Sequence, residues 1–317
     1  MLKVKPRTII LYLLPMIVTI ALINLTPILY TIDISLTNYT LFNDEHIFIG
    51  LENYRQLIFT ANSDLYFVIA NTLLYVIICV SLFLVVGMAT ALALNNTKIK
   101  GLAFWRVVLL VPWAAPSAIT ALIWKFLFNE DFGPINQIAR LAFGKGFNVP
   151  WVTNPTWAFI SVVIVNVWLS YPFFTVIILG ALQSIPQELN EAAEMDGANA
   201  WQRFLNVTLP LLRPAITPIT ILSAITTFQM FNTVYLITGG GPFISAGRPG
   251  STEFVMIYMY NKVLGNAAAN VHYAQIASFS VTIFIILGTI TFLARGGTNI
   301  YRLPRRILRF KVSEGAV

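Results

Sequence analysis

The chain has 317 residues, of which 57% are apolar and only 10% charged, and its mean hydropathy is +0.75; soluble domains carry about 25% charged residues, so a water-dissolved globule is excluded. One cysteine, Cys79, excludes an intramolecular disulfide, and with only two histidines (His46 and His272) beside it a structural metal site is not expected. The formal charge of +7 gathers at the ends of apolar blocks, which reads as a topology signal and not as a nucleic-acid surface.

Helix rises 1.5 Å per residue, so about 20 residues cross the hydrocarbon layer. Six apolar stretches reach that length, at about 8–35, 66–94, 107–128, 157–182, 215–238 and 273–294. Lipid offers the backbone no hydrogen-bond partner and sustained period-2 alternation is missing, so the spans are expected to be helices and not barrel strands. The first carries Asp33 near its end and no small-x-small cleavage site follows, so it reads as a retained span. In the connection after it, a short interfacial helix is expected around 51–59. The third span contains Pro116. The fourth contains Asn166 and Pro172, the latter expected to kink its helix. Gly239-Gly240-Gly241-Pro242 must end the fifth span and opens the longest connection, 239–272. Two of the other connections, 37–65 and 129–156, are rich in Gly, Pro, Asn, Trp and Tyr.

Of the 20 lysines and arginines, 14 fall on the side of the termini and of the second and fourth connections, and 6 fall opposite. The positive-inside rule puts both termini in the cytoplasm. The expected fold is therefore an all-α membrane protein with six transmembrane helices, N-in and C-in. It forms one transmembrane domain over 1–317, with a cytoplasmic loop at 183–214 and a basic cytoplasmic tail at 295–317.

The 183–214 loop is the most informative segment. Ser184 and Gln187 fit a capping box, and Pro186 suits a first helical turn. A helix is expected to Asp196, made water-facing by Glu188, Glu191, Glu194 and Asp196. Gly197 suits a left-handed C-terminal turn, and a second amphipathic stretch, 199–207, is expected to end before Pro210. No phosphate-binding loop occurs anywhere: Lys145, between two glycines, lacks both the leading spacing and the following hydroxyl. No catalytic constellation is visible, so the chain is not expected to be an enzyme.

Glu191-Ala192-Ala193, three residues, Gly197, nine residues, Val207, one residue and Leu209-Pro210 resemble the EAA signature of ABC importer permeases, with valine in place of isoleucine. The resemblance implies the type I importer architecture in a bacterial or archaeal inner membrane. In that family the loop docks in a groove of the ATPase, which implies coupling roles for Glu191, Ala192, Ala193, Gly197, Leu209 and Pro210. It implies no cofactor in this chain, with ATP and Mg bound by the partner. The implied partners are a second related permease subunit, two ATPase subunits and an extracytoplasmic solute-binding protein, with membrane lipid around them and no nucleic acid.

Asn166-Val167-Trp168-Leu169-Ser170-Tyr171-Pro172-Phe173, Thr208-Leu209-Pro210-Leu211-Leu212 and Thr238-Gly239-Gly240-Gly241-Pro242 resemble the maltose-type, carbohydrate branch of that family. This implies substrate contacts at Asn166, Leu169, Ser170, Phe173, Ser223, Thr227 and Met230. Amides, hydroxyls and aromatic faces suit sugars. Polar side chains within spans also join helices together, and the two readings stay open here. Thr227 and Met230 stand where maltose permeases usually carry amides, and Ser170 replaces a glycine, so a sugar or oligosaccharide is expected while glycerol phosphate stays open. An ion-coupled transporter would place carboxylates or histidines within its spans. The central spans have none.

Overall fold

The computed structural model describes residues 6–40, 46–59, 64–96, 98–245, 247–264 and 272–298. Among them the architecture is all helical, with one isolated bridge between Thr37 and Phe48. Helix α1 (Pro6–Ile20) runs through a π-turn at Ala21–Leu25 into α2 (Thr26–Ser35), followed by α3 (Glu52–Phe59) and α4 (Asp64–Asn95). Then come α5 (Leu102–Ala114), α6 (Ser117–Leu127), α7 (Pro134–Phe143) and α8 (Pro155–Gln183). After α9 (Gln187–Met195), α10 (Ala200–Arg203) passes through a second π-turn, Phe204–Thr208, into α11 (Leu209–Phe228). The described chain ends with α12 (Asn232–Thr238), α13 (Val255–Leu264) and α14 (Tyr273–Thr298).

Five of these paths are long and apolar enough to cross a membrane: Ile10–Ser35, Asp64–Asn95, Pro155–Gln183, Ala200–Phe228 and Tyr273–Phe292. The pair α5 and α6 makes a sixth if the two count as one span. The expected third span is thus interrupted, at Ala115-Pro116. Proline has no N–H to give the preceding turn and pushes its neighbour out of the helical region, so Pro116 starts a new helix instead of continuing the old one. The expected fifth span is also interrupted, at Gln229–Phe231, and it reaches back to Ala200. Pro172 stays inside α8, and the expected interfacial helix at 51–59 is α3. Residues 1–5 and most of the basic tail, 299–317, lie outside the described residues.

The chain divides into two compact units. The first comprises Met1–Cys79, Ala114–Leu169 and Phe228–Phe284. Its core stacks Tyr75 on Phe254 with centroids 4.3 Å apart, and Phe159 meets both edge-on. The long connection after α12 docks on α4 by hydrogen bonds. Asn71 donates to the Ser251 carbonyl at 2.6 Å, and Val255 N–H, at the start of α13, donates to Thr72 Oγ1 at 3.0 Å. Buried backbone donors need such partners, and here a side chain of another helix supplies one. Gly239 (φ +63°) closes α12, and Gly250 packs so tightly that a Cβ there would stand 2.2 Å from the Gly240 carbonyl oxygen. Buried Glu253 holds this turn, accepting from Gly250 N–H at 2.9 Å and from Asn261 at 2.7 Å. Burial, reinforced by the Asp64 and then the Glu253 carboxylate, pushes the Tyr258 phenol well above its ordinary pKa. In the connection after α2, buried Asn53 donates to the carbonyls of Ser35 and Thr37, which the end of α2 leaves without helical partners.

The second unit comprises Val80–Trp113, Ser170–Thr227 and Ile285–Val317. Here α4 meets α8 at Gly87, where a Cβ would lie 2.4 Å from the Cβ of Phe174. Thr90 and Thr175 share a hydroxyl hydrogen bond beside that contact. Lipid is as apolar as leucine, so helices associate there through close packing at small residues and interhelical hydrogen bonds. Tyr171 Oη adds one more, to the Leu109 carbonyl of α5 at 3.0 Å.

Candidate functional site

The 183–214 loop lies within the second unit and forms a corner. Helix α9 occupies Gln187–Met195 with Pro186 before it. The capping box expected of Ser184 and Gln187 is not formed. Ser184 lies in the turn just past α8, where its hydroxyl donates to the Ala181 carbonyl at 2.7 Å, and Gln187 donates instead to Glu191 Oε1 at 2.8 Å. At the other end Gly197 takes φ +84°, and Ala198 N–H donates to the Ala193 carbonyl at 3.0 Å. That is the left-handed helix stop expected of Gly197.

The second half of the loop departs from expectation. The stretch after Asn199 does not end before Pro210; α10, the π-turn and α11 form one continuous path into the span Ala200–Phe228. Pro210 cannot donate to the ladder, and the π-turn, in which Leu209 N–H reaches the Phe204 carbonyl, lets the helix absorb it one turn earlier. The box that sequence reasoning placed at Ser184 occurs at Asn199 instead. Gln202 N–H donates to Asn199 Oδ1 and Asn199 N–H to Gln202 Oε1, both at 2.9 Å. Arg203 then reaches back across the corner to Glu194, with Nη1 and Oε2 2.6 Å apart. The spacing Asn199-x-x-Gln202 is that of a capping box, here on the far side of a glycine turn.

Of the predicted coupling residues, Glu191 and Ala192 are exposed, Ala193 and Leu209 half-buried, and Gly197 and Pro210 exposed. Leu189, Ala192 and Met195 fall three apart and share one face of α9. Leu189 and Met195 are exposed at 44% and 88%, with Trp201 at 66% just past the corner. These apolar side chains were missed in the sequence because the four acids dominate the segment. On the other side α9 walls a groove of about 1080 Å³. Its apolar floor includes Val85, Met88 and Leu92 of α4, and its polar edge includes Glu191, Arg203 and Arg213.

The predicted substrate residues divide between the units. In the first, Asn166 on α8 is wholly buried and meets Cys79, which in turn meets Tyr75, one turn earlier on α4. This is an interhelical polar contact of the kind the sequence left open. Leu169 is half-buried, and Met230 sits, half-buried, in the break between α11 and α12. In the second unit Ser170 and Phe173 are half-buried, with the Phe173 ring 6.3 Å from Trp113. Ser223 and Thr227 lie on the buried face of α11 with Leu212 and Ile219. Among the described residues, no three histidines, cysteines or carboxylates gather as a metal site.

Residues 84–296 match the family described as "Binding-protein-dependent transport system inner membrane component". The chain is 33% identical over 299 residues to the "Maltodextrin transport system permease protein MalC" of Streptococcus pneumoniae, covering 90% of this chain and 67% of that protein. It is 33% identical over 274 residues to the "Trehalose/maltose transport system permease protein MalF" of Thermococcus litoralis, covering 86% and 90%. In structure it resembles a chain of a bacterial ABC transporter involved in the import of the acidic polysaccharide alginate. The TM-score is 0.71 at 20% identity, over 94% of this chain and 97% of that one, which is a likeness of fold.

Proposed function

Because the chain belongs to the family of binding-protein-dependent transport system inner membrane components, we propose that it forms half of the membrane path of a sugar importer, powered by a separate ATPase that grips the 183–214 loop. Membership makes it a transport subunit and not an enzyme. The observation that carries the power connection is the corner itself. Helix α9 presents exposed Leu189, Ala192 and Met195, and the turn at Gly197 joins it to a helix that continues unbroken into a span. Apolar side chains on a water-facing loop mark a place for a protein partner. A displacement of α9 can therefore pass into α11 through a few covalently linked turns.

The substrate reading rests on relatives whose names specify maltodextrin, trehalose and maltose. Alternating access follows as the mechanism: ATP draws two ATPase subunits together, each moves the coupling helix seated in it, and the spans re-expose a shared cavity on the other side. A second, related permease completes the path, and an external binding protein delivers the sugar. The first span, exposed from Ile10 through Ile20, is consistent with surroundings supplied from outside this chain. The basic residues orient both termini and the loop to the cytoplasm, where ATP is.

The test is ATP-dependent uptake into vesicles holding the complete transporter, offering maltodextrins, trehalose and glycerol phosphate. Glu191→Lys and Gly197→Asp are expected to abolish uptake and weaken ATPase association while the permease still inserts. Undiminished ATP-driven uptake in both variants would refute the coupling role. Asn166→Ala is expected to lower uptake with assembly intact; if uptake is unchanged, Asn166 leaves the substrate path.

A further inference from the structure

The connection between α6 and α8 contains a helix that is inside out. On α7, Asn136 and Arg140 stand four apart and share the face turned to the protein. Asn136 is wholly buried. It donates to Asn148 Oδ1 at 2.6 Å and to the Val149 carbonyl at 3.0 Å, and it accepts from Trp151 Nε1 at 3.0 Å. Arg140 donates to the carbonyls of Glu130 at 2.7 Å and Asp131 at 3.1 Å, and to Asn148 Oδ1 at 3.0 Å. The opposite face carries Ile138 and Leu141, exposed at 66% and 89%. A helix bordering water puts its polar residues out and its apolar residues in. This one does the reverse.

The segment before α7 adjoins the exposed apolar surface of α6. Ile119, Leu122, Ile123 and Phe126 form an exposed stripe along α6, and the Phe126 ring meets exposed Phe132 with centroids 6.1 Å apart, just before α7. Exposed Phe143 and Phe147 extend it beyond α7, their centroids 5.1 Å apart. The connection leaves α6 at Leu127 and enters α8 at Pro155, the start of a helix long and apolar enough to cross the bilayer. Trp151 and Trp157 pack against one another at its return, residue types that favour the boundary between acyl chains and water.

We propose that α7 lies flat in the interfacial layer of the bilayer, with lipid acyl chains covering Ile138 and Leu141. The Asn136 and Arg140 bonds hold it at a fixed height against the return segment 148–151. This requires only that the chain is a membrane protein and is independent of the sugar and of the ATPase.

Single cysteines at Ile138, Leu141 and Gln137 test it, each carrying a nitroxide, in the complete transporter reconstituted into liposomes. Buried Cys79 makes the wild type the label-free control. Accessibility is measured to oxygen, which concentrates in lipid, and to a water-soluble nickel chelate. At 138 and 141 oxygen accessibility is expected to exceed that of nickel several-fold, with position 137, on the flank, shifted toward nickel. Nickel accessibility dominating at 138 and 141 would place the face in water and overturn the proposal. Low accessibility to both reagents would mean that a protein surface covers it, which overturns it equally.

Discussion

At the scale of single residues, two glycines are required for different reasons. Gly197 has φ +84° and open space where a side chain would go, so its constraint is purely conformational. Left-handed backbone costs an L-residue about 1–2 kcal/mol. Gly197→Ala should therefore cost that much in the loop alone, leaving the thermal stability of the solubilised permease nearly unchanged while ATP-driven uptake falls. Gly250 has no positive φ but lies against the Gly240 carbonyl. There Gly250→Ala forces backbone apart, and overpacking of that kind costs about 1–3 kcal/mol. The expected readout is a lower unfolding temperature in detergent. Sequence placed Gly197 correctly because a helix stop is a local property. It was silent on Gly250, whose neighbour is set by the fold of the whole connection. Asn166 teaches the same lesson: its polarity inside a span was plain, but its meeting with Cys79 needed α4 and α8 side by side.

At the scale of elements, proline shows what local rules leave open. Pro116 and Pro172 both lie in stretches of similar hydropathy, yet only Pro116 divides its helix. On either side of Pro172, Tyr171 bonds the Leu109 carbonyl and Phe174 packs on Gly87, so tertiary contacts hold α8 together. The described contacts near Pro116 instead restart the chain, with Thr120 N–H donating to the Pro116 carbonyl at 3.0 Å. The Asn199 capping box begins the helix that continues into the membrane. Asn199→Ala should cost about 1 kcal/mol and loosen the α9–α10 corner. Protease cleavage at the loop should then accelerate relative to wild type; an unchanged rate would show that the corner stands without the cap. Between helices, Thr72→Val leaves the Val255 N–H buried without its acceptor, a penalty of about 1–3 kcal/mol. Faster hydrogen exchange at the start of α13 is the expected sign.

At the scale of the molecule, the coupling reading makes the loop and the span Ala200–Phe228 one mechanical part. Arg203→Gln removes the 2.6 Å bridge to Glu194 but no residue of the exposed α9 face. Glu194 is largely exposed and Arg203 half-buried, and ion pairs open to water on one side contribute little to stability, typically about 0.2–1 kcal/mol. The expected result is therefore normal assembly with the ATPase, an unchanged unfolding temperature, and more ATP hydrolysed per sugar imported. Recovery in the reversed pair Glu194→Arg with Arg203→Glu would identify the bridge as the cause. A loss of ATPase association would instead make Arg203 a docking residue.

Composition and hydropathy by themselves determined that this chain is an all-helical membrane protein, because lipid leaves a backbone few ways to satisfy its hydrogen bonds. The spacing of Glu191, Gly197 and Pro210 pointed to the loop, because a helix and its stop are written in neighbouring residues. Only the tertiary structure decided that the helix after Asn199 runs on into the span. It also decided that Ser223 and Thr227 face a packed interior, and that α7 turns its polar side inward. Each of these depends on which surface a distant segment covers, and periodicity along one helix carries no record of its neighbours.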